Sequence, residues 1–129
     1  MSKKLFTILG IWIVVMALIL VACSTTIATT SSAPNQMHMN ATNFVQSSIT
    51  IKKGESITLI DDAQDSHIIA NGTWENGTAK PQNESSAPQV ENLQISSSGQ
   101  GTIGPFTTAG TFHFYCTVHP GMSLTVVVQ

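Results

Sequence analysis

The chain has 129 residues, 42% of them hydrophobic, enough for one domain and little more. It carries five lysines, no arginine and seven acidic residues, a formal net charge of −2 at pH 7 with histidines neutral. So few basic side chains exclude a nucleic-acid binder, which must displace the counterions of a phosphate backbone.

The first element is a short basic start, Lys3-Lys4, followed by the apolar run Leu5 to Ala22, broken only by Thr7 and Gly10. No Lys, Arg, Asp or Glu occurs between Leu5 and Ile51. Residues 1–22 therefore read as an export signal. A retained transmembrane helix is the alternative, since a run of this length lies at the lower limit for spanning a bilayer. In both cases the basic end stays inside and the rest of the chain is delivered outside the cytoplasm. Leu20-Val21-Ala22-Cys23 resembles a bacterial lipoprotein box, which implies a lipidated Cys23 at the mature N-terminus, anchored to the membrane surface of the cell envelope. From there on Lys52, Lys53 and Lys80 face Glu55, Asp61, Asp62, Asp65, Glu75, Glu84 and Glu91, a net charge of −4. With Cys23 lipidated, Cys116 has no disulfide partner. A lone thiol in an oxidising compartment calls for burial or for a metal.

Residues 23–36 form a tether: Ser24 to Gln36 is Ser/Thr/Ala-rich and uncharged. The domain proper is expected over 37–129, and its pattern is β. Ile49-Thr50-Ile51 and Ile57-Thr58-Leu59-Ile60 flank Lys52-Lys53-Gly54-Glu55, a hairpin signal with glycine at a position where φ is positive. Between Asn71 and Gln89 the hydrophobic pattern fails, and the stretch reads as a polar surface loop. It holds three Asn-x-Ser/Thr triplets, at Asn71, Asn76 and Asn83, with a fourth at Asn40. Thr111 to Cys116 alternates, with Phe112, Phe114 and Cys116 on one face and His113, Tyr115 and Thr117 on the other. Ser123 to Val128 is β-branched and apolar. Short strands separated by Gly/Pro/Asn/Asp turns, with no sustained helical period, predict an all-β sandwich.

The chemistry is concentrated in Phe112-His113-Phe114-Tyr115-Cys116-Thr117-Val118-His119-Pro120-Gly121-Met122. A strand ending at Cys116 and a short loop can turn a thiolate, an imidazole (His119) and a thioether (Met122) toward one point. A second imidazole, His67, follows the polar turn Asp61 to Ser66. Two His and one Cys in a trigonal plane with a weak axial Met is the donor set of an electron-transfer copper site. The thiolate donates strongly to Cu(II), imidazole suits both oxidation states, and the soft thioether favours Cu(I).

Gly110-Thr111-Phe112-His113-Phe114-Tyr115-Cys116 resembles the last-but-one strand of plastocyanins and related cupredoxins. The Cys-x-x-His-x-x-Met spacing is similar to that of the short-loop amicyanin type, and Phe44 to Leu59 is similar to the family's opening strands. The resemblance covers about Met37 to Gln129. It implies a Greek-key β-sandwich of seven to eight strands, with His67, Cys116 and His119 as equatorial ligands of one copper ion and Met122 as the axial one. The chain departs from the family pattern at Ile68, where relatives often carry Asn or Thr, at Val118, where plastocyanin has Pro, and over the 71–89 loop.

Three other features have two readings. His113 alternates away from Cys116 and is expected on the surface. Met37-His38-Met39 is either a second soft-ligand cluster or two core methionines with His38 outward. Trp74 either covers the copper end or pins the polar loop. The implied function is electron transport between redox proteins, such as cytochromes or a membrane redox complex, by a blue copper protein that is not an enzyme. Copper carriage or storage by the same ligands is the alternative. A Cys/His hydrolase ranks below both, because Cys116 and His119 three residues apart share a metal more naturally than they form a nucleophile–base pair.

Overall fold

Alternating apolar residues with a period of two need a surface to bury one face, and the chain meets that need with two packed sheets. The computed structural model describes residues 35–129. The expected export signal, Cys23 and all but the last two residues of the expected tether lie outside the described residues. No helix occurs among the described residues. The described residues form nine strands: β1 (Gln36–Met39), β2 (Ser48–Ile51), β3 (Ile57–Asp61), β4 (His67–Glu75), β5 (Thr78–Pro81), β6 (Leu93–Ile95), β7 (Gln100–Ile103), β8 (Gly110–Cys116) and β9 (Ser123–Val128). The first begins at Gln36, one residue inside the segment expected as tether.

One sheet has the order β1-β3-β7, with β1 parallel to β3 and β3 antiparallel to β7. The other runs β2-β9-β8-β4-β5, with β6 also paired to β4. Its β2–β9 pair is parallel and its β9–β8–β4 core antiparallel. Between the sheets lie Met37, Met39, Ile57 and Leu59 from one side and Ile69, Phe112, Phe114, Leu124 and Val126 from the other. Phe106, from the β7–β8 connection, sits among them with its ring centroid 5.8 Å from Phe112 and 6.0 Å from Phe114. Each such side chain stabilises the fold by about 1.5–3 kcal/mol through apolar burial.

Two local expectations need correction. Lys52 to Glu55 does form a turn, with φ of 91° at Gly54 and the Glu55 carboxylate accepting from the Lys52 backbone N–H at 2.8 Å. Its flanking strands are not a hairpin, however: β2 joins β9 and β3 joins β1 and β7, so the turn carries the chain from one sheet to the other. The second correction concerns residues 71–89, nearly half of which are strand. Asn76 and Gly77, with φ of 50° and 75°, make the two-residue turn that closes the β4–β5 hairpin. That hairpin takes the strand count above the seven or eight the resemblance implies.

The remaining loop is tied down by polar bonds. The buried Asn71 side chain donates to Pro88 O at 3.0 Å and accepts from Val90 N at 2.5 Å. Glu84 accepts from both the backbone N and the ring Nδ1 of His113, at 2.9 and 2.7 Å.

Candidate metal centre

The centre lies where β4 begins and β8 ends. The antiparallel β4–β8 register sets Ile69 opposite Cys116, which brings His67, two residues earlier, beside the end of β8. The chain after Cys116 is held in a tight loop. Cys116 N donates to Met122 O at 3.0 Å, Met122 N to His119 O at 3.2 Å, and Thr117 N to Ile68 O at 2.8 Å. The last of these lets the backbone of Ile68 tie the two ligand-bearing segments together.

Three donor atoms converge there. Cys116 Sγ stands 3.4 Å from His119 Nδ1 and 3.8 Å from His67 Nδ1, and the two nitrogens are 3.2 Å apart. The ring planes of the two histidines cross at 61°. His67 and Cys116 have no exposed surface, Met122 is 1% exposed, and His119 is only partly covered. Burial pushes the His67 pKa below its ordinary 6.5. Asp61 and Asp65 oppose that shift, and His119 adds to it.

These residues fit a metal ion. Bonds of about 2.0 Å to each nitrogen and about 2.3 Å to sulfur, in one plane, set nitrogen–nitrogen and nitrogen–sulfur separations near roughly 3.5 and 3.7 Å. The observed nitrogen–sulfur distances of 3.4 and 3.8 Å lie either side of the second value, and the nitrogen–nitrogen distance of 3.2 Å lies slightly below the first. One thiolate and two imidazoles form a donor set softer than magnesium or calcium accept. His67, Cys116 and His119 are grouped by their ligand atoms among the described residues, and Cys116 has no disulfide partner there.

The other singled-out residues fall outside this group. Met37 and Met39 are buried in the core, while His38 points outward to Asp62 at 2.7 Å. His113 is half-buried beside Glu84 rather than free on the surface. Tyr115 is buried, its ring edge-on to Trp74 at 6.0 Å. Trp74 serves neither expected role simply: its indole Nε1 donates to the carbonyl oxygen of Cys116 at 2.9 Å. Asp61, read from sequence as the start of a polar turn, is the buried end of β3, and its carboxylate stands 3.6 Å from His67 Nε2. The strand alternation Ile57, Leu59, Asp61 carries the signal for its inward position.

Relatives share both the sequence pattern and the architecture. A model of copper binding proteins of the plastocyanin/azurin family matches residues 31–129. Plastocyanin from Ulva prolifera is 33% identical over 88 residues, covering 67% of this chain and 86% of the relative. Plastocyanin from Scenedesmus fuscus is 30% identical over the same shares. Among solved structures, amicyanin from Paracoccus versutus superposes with a TM-score of 0.57 at 19% identity, over 79% of this chain and 87% of that one. A purple cupredoxin from Nitrosopumilus maritimus gives 0.53 at 19% identity, over 73% and 98%. The structural likenesses establish the cupredoxin sandwich. The family match and the plastocyanin relatives go further, and with a convergent thiolate and imidazole pair at the end of that sandwich, this chain belongs to the plastocyanin/azurin family of copper-binding proteins.

Proposed function

We propose that the chain is a type 1 blue copper protein that carries single electrons between redox partners outside the cytoplasm. His67, Cys116, His119 and Met122 would hold the copper ion. The observation that carries this reading is the convergence of His67 Nδ1, Cys116 Sγ and His119 Nδ1 within 3.2–3.8 Å of one another. Bound copper supplies a one-electron couple between Cu(II) and Cu(I).

The protein supplies rigidity, shielding and an exit. Cys116 is fixed by the β4–β8 ladder and His67 by the β4–β6 ladder, so the donors need move little between oxidation states. Phe114, Met122 and Leu124, on the strands and loop that carry and follow Cys116, are themselves buried. His119 alone of the donors reaches the surface, flanked by exposed Val118, Pro120 and Gly121. Val118 is 48% exposed, an apolar contact for a redox partner beside the exit. Four protein donors on one ion would leave no open position for a substrate, which supports a carrier and not an enzyme.

The residues before Gln36 add the address. The basic start, apolar run and Cys23 support export and a lipid anchor, with residues 24–36 as the tether to the domain. Mass spectrometry of the mature N-terminus should find a diacylated Cys23; a chain still beginning near Met1 in the membrane fraction replaces the anchor with a retained helix.

The visible spectrum of the copper-loaded domain tests the centre. The oxidised protein should be intensely blue through thiolate-to-copper charge transfer, and Cys116→Ser should lose the colour while remaining folded. A colourless oxidised protein at full copper occupancy would overturn the assignment.

A further inference from the structure

Asp61 closes β3, and the alternation that turns Ile57 and Leu59 inward turns it inward too. It is 3% exposed, a costly place for a carboxylate unless its oxygens find donors. They do: Ala63 N donates to Oδ1 at 2.9 Å and Ser98 N to Oδ2 at 3.1 Å. Two backbone segments therefore hold the carboxylate in one place.

Asp61 Oδ1 also lies 3.6 Å from His67 Nε2, with both side chains fully buried. That nitrogen has no hydrogen-bond partner among the described residues. The other ring nitrogen, Nδ1, faces Cys116 and His119. A neutral imidazole carries one proton, and the nitrogen without it offers the lone pair. Beside a carboxylate that accepts only, the proton belongs on Nε2 and the lone pair on Nδ1. A small closing movement makes the contact a hydrogen bond of the kind that orients metal-binding histidines.

Resting on the copper reading above, we propose that Asp61 is a positioning residue of the centre. Its carboxylate keeps the His67 proton on Nε2, aims Nδ1 at Cys116 and His119, and favours the more highly charged state of the bound ion. The last effect follows from Coulomb's law: a fixed negative charge shielded from water stabilises Cu(II) over Cu(I). It therefore holds the reduction potential down.

The experiment has a metal-free arm and a loaded arm. In the full chain without metal, long-range nitrogen–proton NMR should show the His67 proton on Nε2. A proton on Nδ1, or an even mixture, would overturn the proposal whatever the copper chemistry turns out to be. In the copper-loaded protein, Asp61→Asn removes the charge at constant size. The potential should rise by about 59 mV, a tenfold change in the relative affinity for the two oxidation states. An unchanged potential overturns the electrostatic role. Because the amide introduced by Asp61→Asn meets one of the two backbone donors with its own NH2, that variant has a folding risk; if it does not fold, the wild-type tautomer alone decides. A loaded wild type without blue colour defeats the copper assignment and leaves the tautomer result standing, so the two failures are distinguishable.

Discussion

The indole Nε1 of Trp74 donates a hydrogen bond to the carbonyl oxygen of Cys116 across 2.9 Å. Two residues before Trp74, Gly72 has a φ of 131°, and an added Cβ there would lie 2.3 Å from Lys80 O. Trp74 N donates to Ser123 Oγ at 2.9 Å, so the β4–β5 hairpin is fastened to both β8 and β9. The backbone of the thiolate-bearing residue is thus gripped from the outer face of the sheet as well as from its own loop.

Trp74→Phe keeps a ring over Tyr115 but removes the donor. Losing one partly buried hydrogen bond should lower stability by about 1–2 kcal/mol, read as a shift of the urea midpoint at constant slope. The charge-transfer band should broaden as Cys116 gains freedom. Stability and spectrum both unchanged would show that the bond constrains nothing.

Met122 tests the axial position independently. It is buried beneath the loop that its own backbone closes onto Cys116. Gln is a harder donor that favours Cu(II), and Leu is no donor at all. Met122→Gln should lower the reduction potential and Met122→Leu raise it, each by more than about 59 mV, a tenfold change in relative affinity. Equal potentials in all three proteins would remove the thioether from the centre.

The parts of this centre differ in how far they could be read from the residues alone. Cys116, His119 and Met122 lie within seven residues, so their spacing speaks directly. His67 is 49 residues from Cys116, and only the family pattern joined the two before the β4–β8 register did. Asp61 is hard to read from sequence because it opens the polar run Asp61 to Ser66. The run that decides its direction is the one before it, where Ile57 and Leu59 already set the inward phase. Turns fared similarly. Lys52 to Glu55 marks a turn through local chemistry, but which strand each arm joins depends on residues far away in sequence. Asn76-Gly77 is a hairpin signal in its own right, hidden where the hydrophobic pattern lapses because Trp74 and Thr73 pack on β8 and β9 and not in the core.

Acid should destabilise the metal-free protein through His67. Burial, the leading cause, holds its folded pKa below the ordinary 6.5, partly offset by Asp61. Between the two values the unfolded chain binds a proton that the folded one refuses, so stability rises with pH across that window. The contribution is fully present above about 6.5, and it is lost as pH falls toward the lower folded value. Melting temperature followed from about pH 8 to about pH 4.5 should fall below about pH 6.5 in wild type, and His67→Gln should flatten that part of the profile. A wild-type profile already flat from about pH 7 to about pH 5 would show that His67 accepts its proton as readily in the folded state.

The arrangement around His119 separates electron transfer from copper delivery. Delivery needs an ion that is easily displaced, and hence donors that open. Here His67 is buried, Cys116 is gripped by the β4–β8 ladder and by Trp74, and the loop from Thr117 to Met122 is closed by two backbone bonds, Cys116 N to Met122 O and Met122 N to His119 O. Opening the site costs those bonds together. Passing an electron costs none of them, because His119 already reaches the surface beside exposed Val118 and Pro120. The copper-loaded domain should therefore reduce or oxidise a cytochrome rapidly while losing its ion only slowly to a strong chelator. Val118→Asp should slow the exchange at least about tenfold by placing a charge on the apolar rim, with the blue band unchanged. Stoichiometric copper loss within seconds, accompanied by sluggish exchange with the cytochrome, would make carriage the better account of this centre.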